Sequence, residues 1–182
     1  MIAMIRRDAA KRCITVCVLL LLCISTASLS SCNRLMITMS PAQFLSNIND
    51  LAAEDFGALS QEQIRDETIT SVKIRDRLSL TMTADPFTGL MKSAVLKLSF
   101  DENIEDLDYS SFAYFFLIML KAYDSNISIA NVNAIRESLS FESYNAGIDN
   151  KIGYGSTIYY YTVTEKAAIF TAQYITEKEQ LP

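Results

Sequence analysis

VKIRDRLSLTMTADPFTGLMKSAVLKLSF, residues 72–100, carries the pattern from which the fold is read. From Val72 to Met82 the apolar positions recur every second residue. Val72, Ile74, Leu78, Leu80 and Met82 share one face, with Asp76 a polar misfit among them, and Lys73, Arg75, Arg77, Ser79, Thr81 and Thr83 share the other. A period of two belongs to a strand with one face buried. Asp85-Pro86-Phe87-Thr88-Gly89 is a cluster of turn formers. Alternation resumes from Met91 to Phe100, with Ala94, Leu96, Leu98 and Phe100 inward. The stretch predicts a β-hairpin.

On its N-terminal side, Ser40-Pro41-Ala42-Gln43 predicts a helix start: Ser as N-cap, Pro in the first helical position, Gln three residues after the cap. Phe44, Leu45, Ile48, Leu51 and Ala52 then fall on one helical stripe, and a short helical turn is expected from Ser60. On the C-terminal side, the acidic stretch Asp101 to Asp108 leads into a helix over Ser111–Tyr123. Its run FAYFFLIML, Phe112 to Leu120, is apolar around the whole circumference and predicts a buried central helix. Ser128 caps a further helix through Ile135 to Leu139. Gly147, Gly153 and Gly155 mark a loop, and a last hairpin pairs Thr157–Thr164 with Ala168–Ile175. The expected fold class is α+β, in the order α-β-β-α-α-β-β: two hairpins making an antiparallel sheet of about four strands, with helices packed on one face.

Residues 1–31 stand apart from this domain. Arg6, Arg7, Lys11 and Arg12 precede an apolar run, Ile14 to Ile24, and small residues follow it. Eleven residues of helix rise about 16 Å, far short of a hydrocarbon core about 30 Å thick. The pattern predicts a secretory signal that is removed. Leu29-Ser30-Ser31-Cys32 resembles the lipobox of bacterial lipoproteins. The resemblance implies diacylglycerol on the Cys32 thiol, cleavage just before it, and a domain held at a membrane facing away from the cytoplasm. Asn33 in place of aspartate implies passage to the outer membrane in a Gram-negative cell. Cleavage after Ala27 would instead leave Cys32 a free thiol. The expected organisation is signal 1–31, lipidated cysteine with a short tether 32–39, and one domain over 40–182. The layout across residues 70–175 is also similar to small uncharacterised α+β domains of bacterial lipoproteins, a likeness of pattern that bears on fold and not on function.

Composition then narrows the chemistry. Of the chain's 16 basic and 21 acidic side chains, 12 and 20 lie beyond residue 31, a net charge of −8. Such a domain is unsuited to nucleic acid, whose affinity rests on clustered Lys and Arg at phosphates. Cys13, Cys17 and Cys23 lie in the signal, so beyond Cys32 the chain has no cysteine for a disulfide. There is no histidine, which removes His-based acid–base catalysis and His-ligated metal. No cofactor motif stands out: Gly153-Tyr154-Gly155-Ser156 lacks the lysine and further glycine of a phosphate loop. Ser93 and Lys97 lie four apart on one strand face, about 13 Å and too far for proton transfer. Asp101, Asn103 and Glu105 match the first ligands of an EF-hand loop, but Asp106 and Phe112 replace its required glycine and glutamate. Acidic residues gathered before a helix N-terminus explain them better.

Two surfaces are candidates for partner binding: Tyr159 and Tyr161 on one strand face, and the basic row Lys73, Arg75 and Arg77. The expected function is a membrane-anchored, non-enzymatic interaction or accessory module of the cell envelope, bound to a protein or glycan there. A small-ligand or lipid carrier, with Phe112–Leu120 lining a cavity, is the alternative, and a cell-envelope enzyme without His or Cys chemistry is the third. Metabolic labelling with a fatty-acid analogue tests the lipobox: the native chain takes label and Cys32→Ser takes none, whereas label persisting on the variant refutes acylation at Cys32.

Overall fold

Ser40 caps helix α1 (Pro41–Phe56) with a reciprocal pair of bonds. Its Oγ accepts from the Gln43 amide at 3.3 Å, and its own amide donates to Gln43 Oε1 at 2.9 Å, satisfying two donors that a helix start leaves without partners. The computed structural model describes residues 39–59 and 68–174, all within one compact unit that begins at Met36. The signal, the lipobox, the tether to Thr38, the turn expected at Ser60 and the strand end at Ile175 lie outside those residues. Phe44, Ile48 and Ala52 of α1 are buried, but Leu51 is 45% exposed. At 100° per residue it falls on the rim of the arc centred between Ile48 and Ala52.

The chain then runs β1 (Ile69–Lys73), β2 (Leu78–Ala84), β3 (Met91–Ser99), α2 (Asp106–Tyr123), α3 (Ile129–Leu139), β4 (Asp149–Tyr154), β5 (Thr157–Val163) and β6 (Ala167–Tyr174). The class is α+β, with six strands where about four were expected. They form one antiparallel sheet in the order β1-β2-β3-β6-β5-β4. Two three-stranded meanders, each following a helix, meet where β3 pairs with β6.

Both extra strands have a local cause. The expected strand Val72–Met82 is broken by a tight turn in which the amides of Ile74 and Arg75 donate to the Leu78 carbonyl at 2.9 and 3.0 Å. Asp76 is the exposed turn residue of two strands, not a misfit within one. The second extra strand, β4, occupies the stretch where glycines predict a loop. Its register with β5 pairs Ile152 with Tyr159 and Gly153 with Ile158. Gly153 is therefore a strand residue, while Gly155, at φ 61°, occupies the turn.

Helix α2 begins five residues earlier than expected, because Glu105 and Asp108 form a capping box and acidic residues suit a helix N-terminus. It buries Phe112, Phe115, Phe116, Met119 and Leu120, while Leu117 reaches solvent. Phe116 stacks on Phe141 with centroids 3.9 Å apart and meets Phe170 of β6 edge-on at 4.8 Å. Phe112 and Tyr161 also border Phe141, at 5.3 and 4.8 Å. Side-chain hydrogen bonds lock helices to strands around these rings. Asn150 Nδ2 donates to the Leu139 carbonyl at the end of α3, at 3.1 Å. The Tyr161 hydroxyl donates to the Ser143 carbonyl at 3.0 Å.

Phe116→Ala should cost about 3–5 kcal/mol, the range for truncating a buried Phe. Phe87→Ala, at an exposed position, should shift stability by no more than about 0.5 kcal/mol. Urea unfolding of the Cys32→Ser form compares the two, and equal midpoints would contradict the packing described.

Candidate functional site

The basic row does not lie along a strand. Lys73 ends β1, and Arg75 and Arg77 sit in the β1–β2 turn, where the alternation that would have aligned them is interrupted. Each is matched by a carboxylate. Lys73 Nζ lies 2.9 Å from Asp76. Arg77 Nε donates to both oxygens of Asp101 at 2.7 and 2.8 Å. Asp108, only 5% exposed, takes Arg77 on one oxygen at 3.5 Å and Arg75 on the other at 3.6 Å. It also accepts the Glu105 amide at 3.2 Å. A buried carboxylate needs such partners, so the two arginines join the turn to the N-terminus of α2 and are held there by Asp101 and Asp108. Within the acidic run, Arg77 thus engages both oxygens of Asp101, and the two arginines share Asp108. Among the described residues, no group of three or more His, Cys, Asp or Glu side chains is arranged to hold a metal.

Tyr159 and Tyr161 are not surface residues. They are 2% and 0% exposed and belong to the core, so they offer no docking face. Burial pushes both phenols above their ordinary range, with Tyr123 adding to the effect at Tyr159 and Tyr144 at Tyr161. Tyr144 is pushed up to about 12, by burial and then by Tyr109. These hydroxyls therefore stay protonated at neutral pH. The buried hydroxyls of Tyr174 and Thr157 have no hydrogen-bond partner. That of Tyr123 lies near Thr157 and Ser156 without a well-aligned bond.

The surface left open is the other face of the sheet. Register builds it as three cross-strand rows. One reads Ser71, Thr81, Val95, Thr171, Tyr160 and Lys151; the next Lys73, Ser79, Lys97, Ile169, Thr162 and Asp149; the third Ile69, Thr83, Ser93, Gln173, Ile158 and Gly153. These positions are half-buried or exposed, whereas their inward neighbours are buried except at Ala84 and on the edge strand β4, where Asn150, Ile152 and Tyr154 are half-buried. Hydroxyls pair along the face: Thr83 with Ser93 at 2.6 Å, Ser71 with Thr81 at 3.4 Å, and Thr162 with Asp149 at 3.0 Å. Ser93 thus bonds across strands and has no lysine partner. In a domain of net charge −8, this face holds three lysines and one aspartate at its edge. Sequence alternation had placed Lys73 and Lys97 outward. Lys151 was missed with β4, although the alternation Asn150, Ile152, Tyr154 was present to be read.

A crevice of about 210 Å³ opens beside α2, floored by Phe116, Leu117 and Phe141. The Arg136–Glu142 ion pair at 3.4 Å stands at its rim. Its volume falls below the range of about 300–1,000 Å³ usual for small-molecule sites. No known protein family, curated protein or solved structure matches the chain.

Arg77 is the first cause holding the Asp101 carboxyl below its usual range. A lowered folded-state pKa contributes stability above the unfolded value, about 3.9, and loses it as pH falls through the folded one. Asp101→Asn should therefore destabilise at neutral pH by an amount that vanishes in strong acid. Urea unfolding across that interval gives the difference, and a gap independent of pH would refute the pairing.

Proposed function

We propose that the chain is a membrane-anchored lipoprotein of the bacterial cell envelope, a non-enzymatic interaction module whose partner docks on the open sheet face. That face is the observation that carries the reading. The helices bury one side of the sheet, and the other remains a flat surface of hydroxyls, lysines, Val95, Ile158, Tyr160 and Ile169. Six strands at about 4.8 Å spacing, each about 20 Å long, give an area on the order of 500 Å². This approaches the roughly 800 Å² that one partner contributes to a stable interface. The excess of lysine favours an anionic protein or glycan surface.

The carrier reading draws less support. Phe112, Phe116, Phe141 and Phe170 touch one another across the space between α2 and the sheet, where a carrier needs a chamber. The enzyme reading has no histidine to work with.

Cross-linking in living cells followed by pull-down tests the module. The native chain should capture one dominant envelope component, Cys32→Ser should capture little, and Lys97→Glu/Lys151→Glu should lose the component while keeping native stability. Undiminished capture by the charge-reversed chain would remove the sheet face as the docking surface.

A further inference from the structure

One end of the sheet gathers features that the docking face does not use. Ala84 of β2 pairs with Met91 of β3, Ser93 with Gln173 of β6, Thr157 of β5 with Tyr174, and Tyr154 of β4 with Thr157. The β2–β3 and β4–β5 turns therefore lie at the same end. The helices join them there. The Met91 amide donates to the carbonyl of Met39, just before α1, at 2.8 Å. Asn131, in the first turn of α3, donates to the Tyr154 hydroxyl at 2.6 Å. Tyr123, at the end of α2, stacks on Tyr174 with centroids 4.5 Å apart.

This end carries the two most exposed large apolar side chains among the described residues, Phe87 at 95% and Ile129 at 79%. Phe87 sits at the tip of the β2–β3 turn. There one Asp85 oxygen accepts the amides of Phe87 and Thr88, each at 2.9 Å, and Gly89 adopts φ 68°. Ile129 is the first residue of α3, following the Ser128 cap. The opposite end carries more acid than base. Asp76 and Asp101 are paired there with Lys73 and Arg77, while Glu102, Glu105, Asp106 and Glu165 are also exposed, with Lys166 beside them.

We infer that Phe87 and Ile129 enter the interfacial layer of the membrane, so that the domain stands on this end with its strands rising away from the lipid. The inference rests on anchoring through Cys32. Chain length then selects the end. Cys32 and Met39 are seven steps apart, at most about 25 Å when extended. The longest strand, nine residues, spans about 30 Å. Turning the far end to the membrane would consume the whole tether, and it would press exposed carboxylates against anionic headgroups. Standing on the near end leaves the tether slack, offers apolar tips to the headgroup–acyl boundary, and keeps the open sheet face at the side, clear for a partner.

Hydroxyl-radical footprinting tests this without substitution. The full native protein is placed in vesicles of phosphatidylethanolamine and phosphatidylglycerol, and compared with its Cys32→Ser form free in solution. Oxidation at Phe87 and Ile129 should fall several-fold in the vesicles. Leu107, exposed at the acidic end, should be unchanged. Equal oxidation of Phe87 and Ile129 in both forms, or equal protection of Leu107, overturns the orientation even where mass spectrometry of the same digests shows acylated Cys32. An unmodified Cys32 in those digests overturns the anchor, and the orientation with it.

Discussion

The contact of Phe116 with Phe141 and Phe170 is the constraint on which the rest of the structure depends. It presses α2 and the segment after α3 onto β6, one of the two strands that join the meanders. Phe112 and Tyr161 extend the contact toward β5. Beyond Cys32 the chain has no cysteine to hold these layers covalently. Buried area and ring geometry must hold them instead. The side-chain amides and hydroxyls that enter this layer are tied to backbone carbonyls, as at Asn150 and Tyr161. That is the condition for burying them without a net loss.

Charge is distributed by the same architecture. The arginines of the β1–β2 turn are drawn to Asp101 and Asp108, because that turn and the N-terminus of α2 lie at the same end of the sheet. Lys97 and Lys151 project from the open face of the sheet instead. The inward tyrosines contribute area and hydrogen bonds to the core and none to a surface. The proposed docking face is one that no short motif marks.

Much of the fold was legible in the residues. Ser40 and Ser128 cap helices where their sequence contexts say they should. The alternation of Leu80, Met82, Ala94 and Leu96 gave a hairpin whose register pairs those residues across two strands. The acidic residues before α2 serve its N-terminus. The misreadings share a cause. In Val72–Met82 the apolar period continues through a tight turn, since Ile74 and Leu78 flank it and both face inward, so the pattern hides the reversal. In Asp149–Tyr154 the glycine that resembles a loop residue occupies an edge strand, where a missing side chain costs little.

By itself the sequence determined the local choices: the helix caps, the strand period, the excess of acid, and the lack of histidine. These follow from propensity, from the 3.6 and 2 residue periods, and from composition, none of which needs a neighbour from elsewhere in the chain. The tertiary structure alone decided the rest. It joined two meanders through β3 and β6, sent Tyr159 and Tyr161 inward, gave Arg75 and Arg77 to Asp108, and left three rows of hydroxyls and lysines uncovered. The physical reason is that burial and ion pairing are relations between segments distant in sequence. A strand's two faces look alike until the helices choose one to cover.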